Sequence, residues 1–142
     1  MSLLVPTSLF PIDIKYVETK LKNGLTGIIV IEDEDKDSLK KYEGRIQELH
    51  TQWQQPGWKE NNEVVRESLI WDEFRGVRDV DFYLYREKVI NRYLKSWDIT
   101  DDKKQPVPCT PENIARLDIQ VATGLVSKFL ARNVPSEEEL KN

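Results

Sequence analysis

The sequence predicts an α+β fold that is mainly α, with an N-terminal β-hairpin over residues 12–31 followed by a domain of four or five helices. Three observations lead there. Ile12, Ile14 and Tyr16 alternate with Asp13, Lys15 and Val17, the period of a half-buried strand. After Asp37 the apolar spacing changes to a helical period. Thr110-Pro111-Glu112 then supplies a helix start, with a capping hydroxyl, proline at the first helical position and a carboxylate at the positive end of the dipole.

Taken in order, Asn23-Gly24 follows the first strand and accepts the positive φ of a tight turn, and Leu25 to Ile31 supplies the returning strand. A two-stranded hairpin is marginal alone, so helices are expected to cover it. Asp37-Ser38 caps a segment whose apolar residues, Leu39, Tyr42, Ile46, Leu49, His50 and Trp53, fall within an arc of about 100°. This predicted helix stops before Gln55-Pro56-Gly57. Asn61 or Asn62 caps a second, less regular helix bearing Val64, Ser68, Trp71 and Phe74, closed by Gly76. A third runs from Asp79 or Asp81 to Trp97, with Phe82, Tyr83, Val89, Ile90, Tyr93, Leu94 and Trp97 on one broad face and Arg86 in the middle of it.

Residues 98–109 are polar, contain two prolines and read as an exposed loop or small hairpin. A short helix follows Thr110. Asp118 caps a last helix with Ile119, Ala122, Leu125, Val126, Phe129 and Leu130 on one face, stopped by Asn133-Val134-Pro135. The whole is read as a single domain over 1–142, with a helical region at 38–132 and a mobile acidic tail at 133–142 that includes Glu137-Glu138-Glu139.

With 142 residues the chain suffices for one core. Lys and Arg number 21 against 25 Asp and Glu, a net charge of -4 spread evenly along the sequence, which argues against nucleic acid as a partner. The longest aliphatic run, Ile28-Ile29-Val30-Ile31, is far too short to span a bilayer. Met1 to Pro11 lacks a positive n-region and is interrupted by prolines, and Cys109 is a lone cysteine, so a reducing cytoplasm is expected.

Residues arranged for chemistry are few. The glycines have neither Walker nor dinucleotide spacing. Asp33, Asp35 and Asp37 match the first ligands of a calcium loop, but Ser38 stands where glycine is needed and Gly44 where a bidentate glutamate is needed. An acidic turn before a helix explains them better. His50, the single imidazole, lies on an apolar stripe and reads as a packed or interfacial residue. Cys109 has no neighbouring base, so it reads as an inert thiol. No nucleophile with a base, carboxylate dyad or metal cluster is evident, and the sequence predicts no enzyme, cofactor or metal site. Trp53, Trp71 and Trp97 each fall on a helical stripe and are expected in the core, whereas Trp58 sits in a connector.

More specific is the run from Tyr85 to Asp102, which includes Tyr93-Leu94-Lys95-Ser96-Trp97-Asp98, followed by Pro106-Val107-Pro108-Cys109-Thr110-Pro111-Glu112-Asn113-Ile114-Ala115-Arg116-Leu117. Over about residues 79–132 the chain resembles the tail assembly chaperones of long-tailed bacteriophages. In that family a helix commonly ends at a tryptophan, an acidic loop with a Pro-x-Pro-like element follows, and Thr/Ser-Pro-Glu-Asn opens the next helix. Lys103-Lys104-Gln105 departs from the Asp-Gly turn of many relatives.

The resemblance implies a phage or prophage protein acting in the host bacterial cytoplasm and absent from the mature virion. It implies the tape-measure protein as client, and tail-tube subunits as a further one. A structural head-tail connector or tail-completion protein is the alternative. Arg86 must snorkel, pair with a carboxylate or meet a partner. Phe82, Arg86, Tyr93 and Trp97 are accordingly the candidate partner-binding residues.

Overall fold

Six strands and five helices make up residues 3–132, the part of the chain that the computed structural model describes. Strands β1 (Phe10–Lys20) and β2 (Thr26–Ile31) form the N-terminal hairpin, in register from Lys15↔Ile31 to Lys20↔Thr26. Gly24, at φ 81°, makes its turn, and the Asn23 carboxamide oxygen accepts from the Leu25 amide at 3.0 Å. Pro11 lies before β2 reaches the sheet, where β1 has a neighbour on one side only, so its missing N–H is tolerated.

The helix expected over Leu39 to Trp53 does not exist as one element. It is divided into α1 (Lys36–Lys41), capped by Asp35 rather than Asp37, and strand β3 (Gln47–Trp53). Gly44 sits between them at φ 83°, a conformation that ends helices. Beyond it Leu49, Thr51 and Trp53 alternate inward, while Leu49 and Trp53 also satisfy a helical spacing. Thr51 resolves the ambiguity. It is buried, its hydroxyl donates to the Ile12 carbonyl at 2.6 Å, and it accepts from Trp53 Nε1 at 2.7 Å.

The second predicted helix is also shorter and shifted. Helix α2 (Trp58–Glu67) begins after Gly57, so Asn61 and Asn62 lie inside it, and Ser68 closes it by donating to the Val64 carbonyl at 2.7 Å. Trp71 belongs instead to a separate two-stranded sheet, β4 (Leu69–Asp72) and β5 (Val77–Val80), and Phe74 to the turn between its strands. Its turn is organised by the Asp72 carboxylate, which accepts from the Phe74 and Arg75 amides and, at 2.8 Å, from Arg75 Nε. Arg75 also pairs with Asp79. Trp71 is therefore exposed, at 60%, and not in the core.

Asp81 caps α3 (Phe82–Tyr93) by accepting from the Tyr83 and Leu84 amides. The chain then passes directly into β6 (Leu94–Trp97), so Trp97 stands on a strand. A small irregular hairpin follows, with a bridge between Thr100 and Pro106, and its turn places Lys104 at φ 61°. Thr110 caps α4 (Pro111–Ile114), and Asp118 accepts from the Gln120 and Val121 amides at the start of α5 (Ile119–Arg132). The predicted stop at Asn133-Val134-Pro135 and the acidic tail lie outside the described residues.

The mainly α expectation is thus incorrect. Strand accounts for about 29% and helix for about 35%, and the organising element is a four-stranded antiparallel sheet ordered β2-β1-β3-β6. Two of its strands, β1 and β2, are the expected hairpin, whereas β3 and β6 fall in the region expected to be helical. One sheet face contributes Phe10, Ile12, Ile14, Leu49 and Trp53 to the core, and the helices add Val64, Val89, Tyr93, Leu125 and Phe129 among others. Phe129 is the hub: its ring stacks against Phe10, Trp53 and Tyr93 at centroid distances of 6.0, 4.8 and 5.3 Å. Val17 and Ile31 are buried outside this cluster, because strand alternation turns them to the opposite face. Among the described residues no helix is long and apolar enough to cross a membrane.

Candidate functional site

Helices α3 and α5 each turn one stripe toward the other. On α3 it consists of Tyr83, Arg86, Glu87 and Ile90, and on α5 of Ile119, Ala122, Thr123 and Val126. Both sets have the i, i+3, i+4, i+7 spacing of a single helical face. Between them lies an open groove of about 370 Å³, completed by Asn91 and by Ile114, Ala115 and Leu117 of α4 and the segment after it. Buried Ile90, Ile114 and Val126 form its floor. At the mouth Tyr83 is 81% exposed and Ile119 78%.

Arg86 is the one part-buried charge of this groove. Its Nη2 donates to the Thr123 hydroxyl at 2.9 Å, tying α3 to α5. Among the described residues no carboxylate lies within ion-pair distance of the guanidinium, which has five N–H donors to satisfy. Glu87 is exposed beside it, where water screens its charge. The groove can therefore take apolar matter along its floor and an acceptor at Arg86.

The four residues proposed from the sequence do not form one site. Arg86 faces the groove. Phe82 is 66% exposed at the N-terminal end of α3 and meets Tyr85 edge to face, with centroids 6.2 Å apart. Tyr93 is buried under Phe129, at the base of a different cleft and away from the Arg86 groove. Trp97 is turned to the hairpin after β6, where its Nε1 donates to the Val107 carbonyl at 2.6 Å. The single-helix reading of residues 79–97 placed Tyr93 and Trp97 beside Phe82, and the change from α3 to β6 after Tyr93 separates them. Sequence reasoning missed Thr123 as a contact of Arg86. The signal lay in its position four residues after Ile119, on the stripe that faces α3.

A second cleft, of about 450 Å³, lies between α2, α3 and α5 and is lined by Pro56, Trp58, Asn61, Tyr85, Tyr93 and Phe129 among others. The Tyr93 hydroxyl is buried with no hydrogen-bond partner among the described residues, and burial pushes its pKa up to about 12. Such a phenol is held protonated.

Other residues singled out for chemistry have structural partners. His50 is not on a helical stripe; it stands on the open face of β3, with Nδ1 3.0 Å from Asp13 Oδ1 and Nε2 3.5 Å from Glu48 Oε2. Asp98 accepts from the His50 amide. The hydrogen bond to Asp13 raises the imidazole pKa, helped by the surrounding carboxylates. Asp33 lies near Lys15 and Lys128, and Asp35 caps α1. Among the described residues no group of three or more His, Cys, Asp or Glu side chains is placed to hold a metal ion. Cys109 is half-buried, and burial raises its thiol pKa.

Searches against known protein families, curated proteins and solved structures found no match to this chain.

Proposed function

We propose that this protein is a tail assembly chaperone of a long-tailed phage or prophage. In this reading it holds an apolar helical segment of the tape-measure protein in the groove between α3 and α5 until tail-tube subunits replace it. The observation that carries the reading is the exposure of Tyr83 and Ile119 above an apolar floor formed by Ile90, Ile114 and Val126. A groove between two helices is the usual receptor for an amphipathic client helix, and large exposed apolar residues around it mark a place where a partner excludes water.

The resemblance across residues 79–132 supplies the identity of the client. Shielding of this kind requires a surface and no turnover. The protein acts in the bacterial cytoplasm and leaves before the virion is complete.

The test is co-expression with the tape-measure protein encoded in the same tail gene cluster. The client is expected to remain soluble and to co-purify. A Tyr83→Asp/Ile119→Asp double variant, which alters only exposed positions, is expected to lose the complex with an unchanged melting temperature. A client that stays insoluble with the wild-type protein over a range of salt overturns the reading.

A further inference from the structure

Resting on that groove, we infer the chemistry of the segment it accepts: an amphipathic helix with one acidic side chain set into its apolar face, the carboxylate pairing with Arg86. Charge complementarity at Arg86 selects this occupant. A guanidinium removed partly from water loses hydration, and it regains that energy only from acceptors that fill its donors. Among the described residues Arg86 has one, the neutral hydroxyl of Thr123 at 2.9 Å. Lysine in this place would offer a point charge; arginine offers a planar fork that takes both oxygens of a carboxylate.

Thr123 holds this fork in position. It fixes Nη2 to α5, so the other donors are presented in a defined direction rather than swept through solvent. The apolar floor excludes water from the pair, and the exposed side chains at the mouth extend the contact beyond the cavity, as a helical segment requires and a small free acid does not.

The probe is a set of three fluorescein-labelled synthetic helices, each about five turns long with a Leu/Ala face. The peptides carry Glu, Gln or Lys at the centre of that face. Anisotropy titration with the full chain is expected to give about tenfold tighter binding for the Glu peptide than for the Gln peptide, and weaker binding still for Lys. Arg86→Gln is expected to remove the preference for Glu, Arg86→Lys to keep only part of it, and Thr123→Val to reduce it.

Equal affinity for the Glu and Gln peptides overturns the inference while leaving the chaperone reading in place. If the tape-measure protein is held soluble yet no peptide binds, the groove is not the client site and the inference fails. If the client also stays insoluble, the functional reading falls with it. A wild-type dimer that dissociates in Arg86→Gln, measured by sedimentation velocity, assigns the groove to a second copy of this chain and likewise overturns the proposal. Because the peptide is changed as well as the protein, a variant that fails to fold does not block the decision.

Discussion

The ring of Phe129 stacks on the indole of Trp53 with centroids 4.8 Å apart and planes inclined by 26°. Helix α5 is joined by this contact to the middle of the sheet, and the same ring reaches Phe10 and Tyr93. Phe129→Ala removes all three contacts and leaves a cavity, so it is expected to cost about 3–5 kcal/mol. Urea denaturation followed by tryptophan fluorescence checks this. A loss below about 1 kcal/mol would show that α5 is not an integral wall of the core.

Thr51 gives a prediction about polarity rather than volume. Its hydroxyl lies between the Ile12 carbonyl and the Trp53 indole N–H, in a residue sealed from solvent. Thr51→Val keeps the shape but strands the buried indole donor, for a cost of about 1–3 kcal/mol. Thr51→Ser, which retains the oxygen, is expected to cost less than Val. The reverse order in thermal denaturation would rule out the hydrogen-bond chain as the reason for threonine here.

His50 makes stability depend on pH. Its pKa is raised from an ordinary 6.5, chiefly by the hydrogen bond to Asp13. The stabilisation is therefore fully present below about pH 6.5 and is lost as pH rises through the higher value of the folded state. As this is the only histidine, its ε1 proton gives one resolvable NMR titration. The midpoint is expected above 6.5 and should fall in Asp13→Asn. An unchanged midpoint in that variant would assign the shift elsewhere.

Lys104 occupies the left-handed region at φ 61°, in the turn where Asp101 accepts from the Lys103 and Gln105 amides. Glycine adopts that conformation without a Cβ clash, offset by its greater freedom in the unfolded chain. Lys104→Gly is expected to stabilise by about 0.5 kcal/mol, and Lys104→Val to destabilise. Chemical denaturation of the two variants side by side checks the order.

What could be read from the sequence was local. Asn23-Gly24 announced a turn, and Thr110, Asp118 and the choice of Asp79 or Asp81 announced helix starts, because each cap acts through its own backbone or that of residues two or three positions on. Residues 39–53 misled because Leu49 and Trp53 satisfy both periods, and because Thr51, polar by type, is an inward strand residue. Pairing of β3 with β1, and of β6 with β3, joins segments far apart in the chain, so no local window contains it. The groove was legible in part: Arg86 was conspicuous on an apolar face, but the helix that faces it could be identified only once α5 was placed.

The sheet order also has a consequence for synthesis on the ribosome. β1 emerges before the other described elements, yet Phe10 finds its stacking partner only when Phe129 appears near the end of the described residues. Until then Ile12, Ile14 and Trp53 have no helix α5 to lie against, and contacts of such long sequence separation form slowly. The core is therefore completed only after α5 has left the exit tunnel, and nascent fragments ending before α5 are expected to depend on cellular holdases to remain soluble.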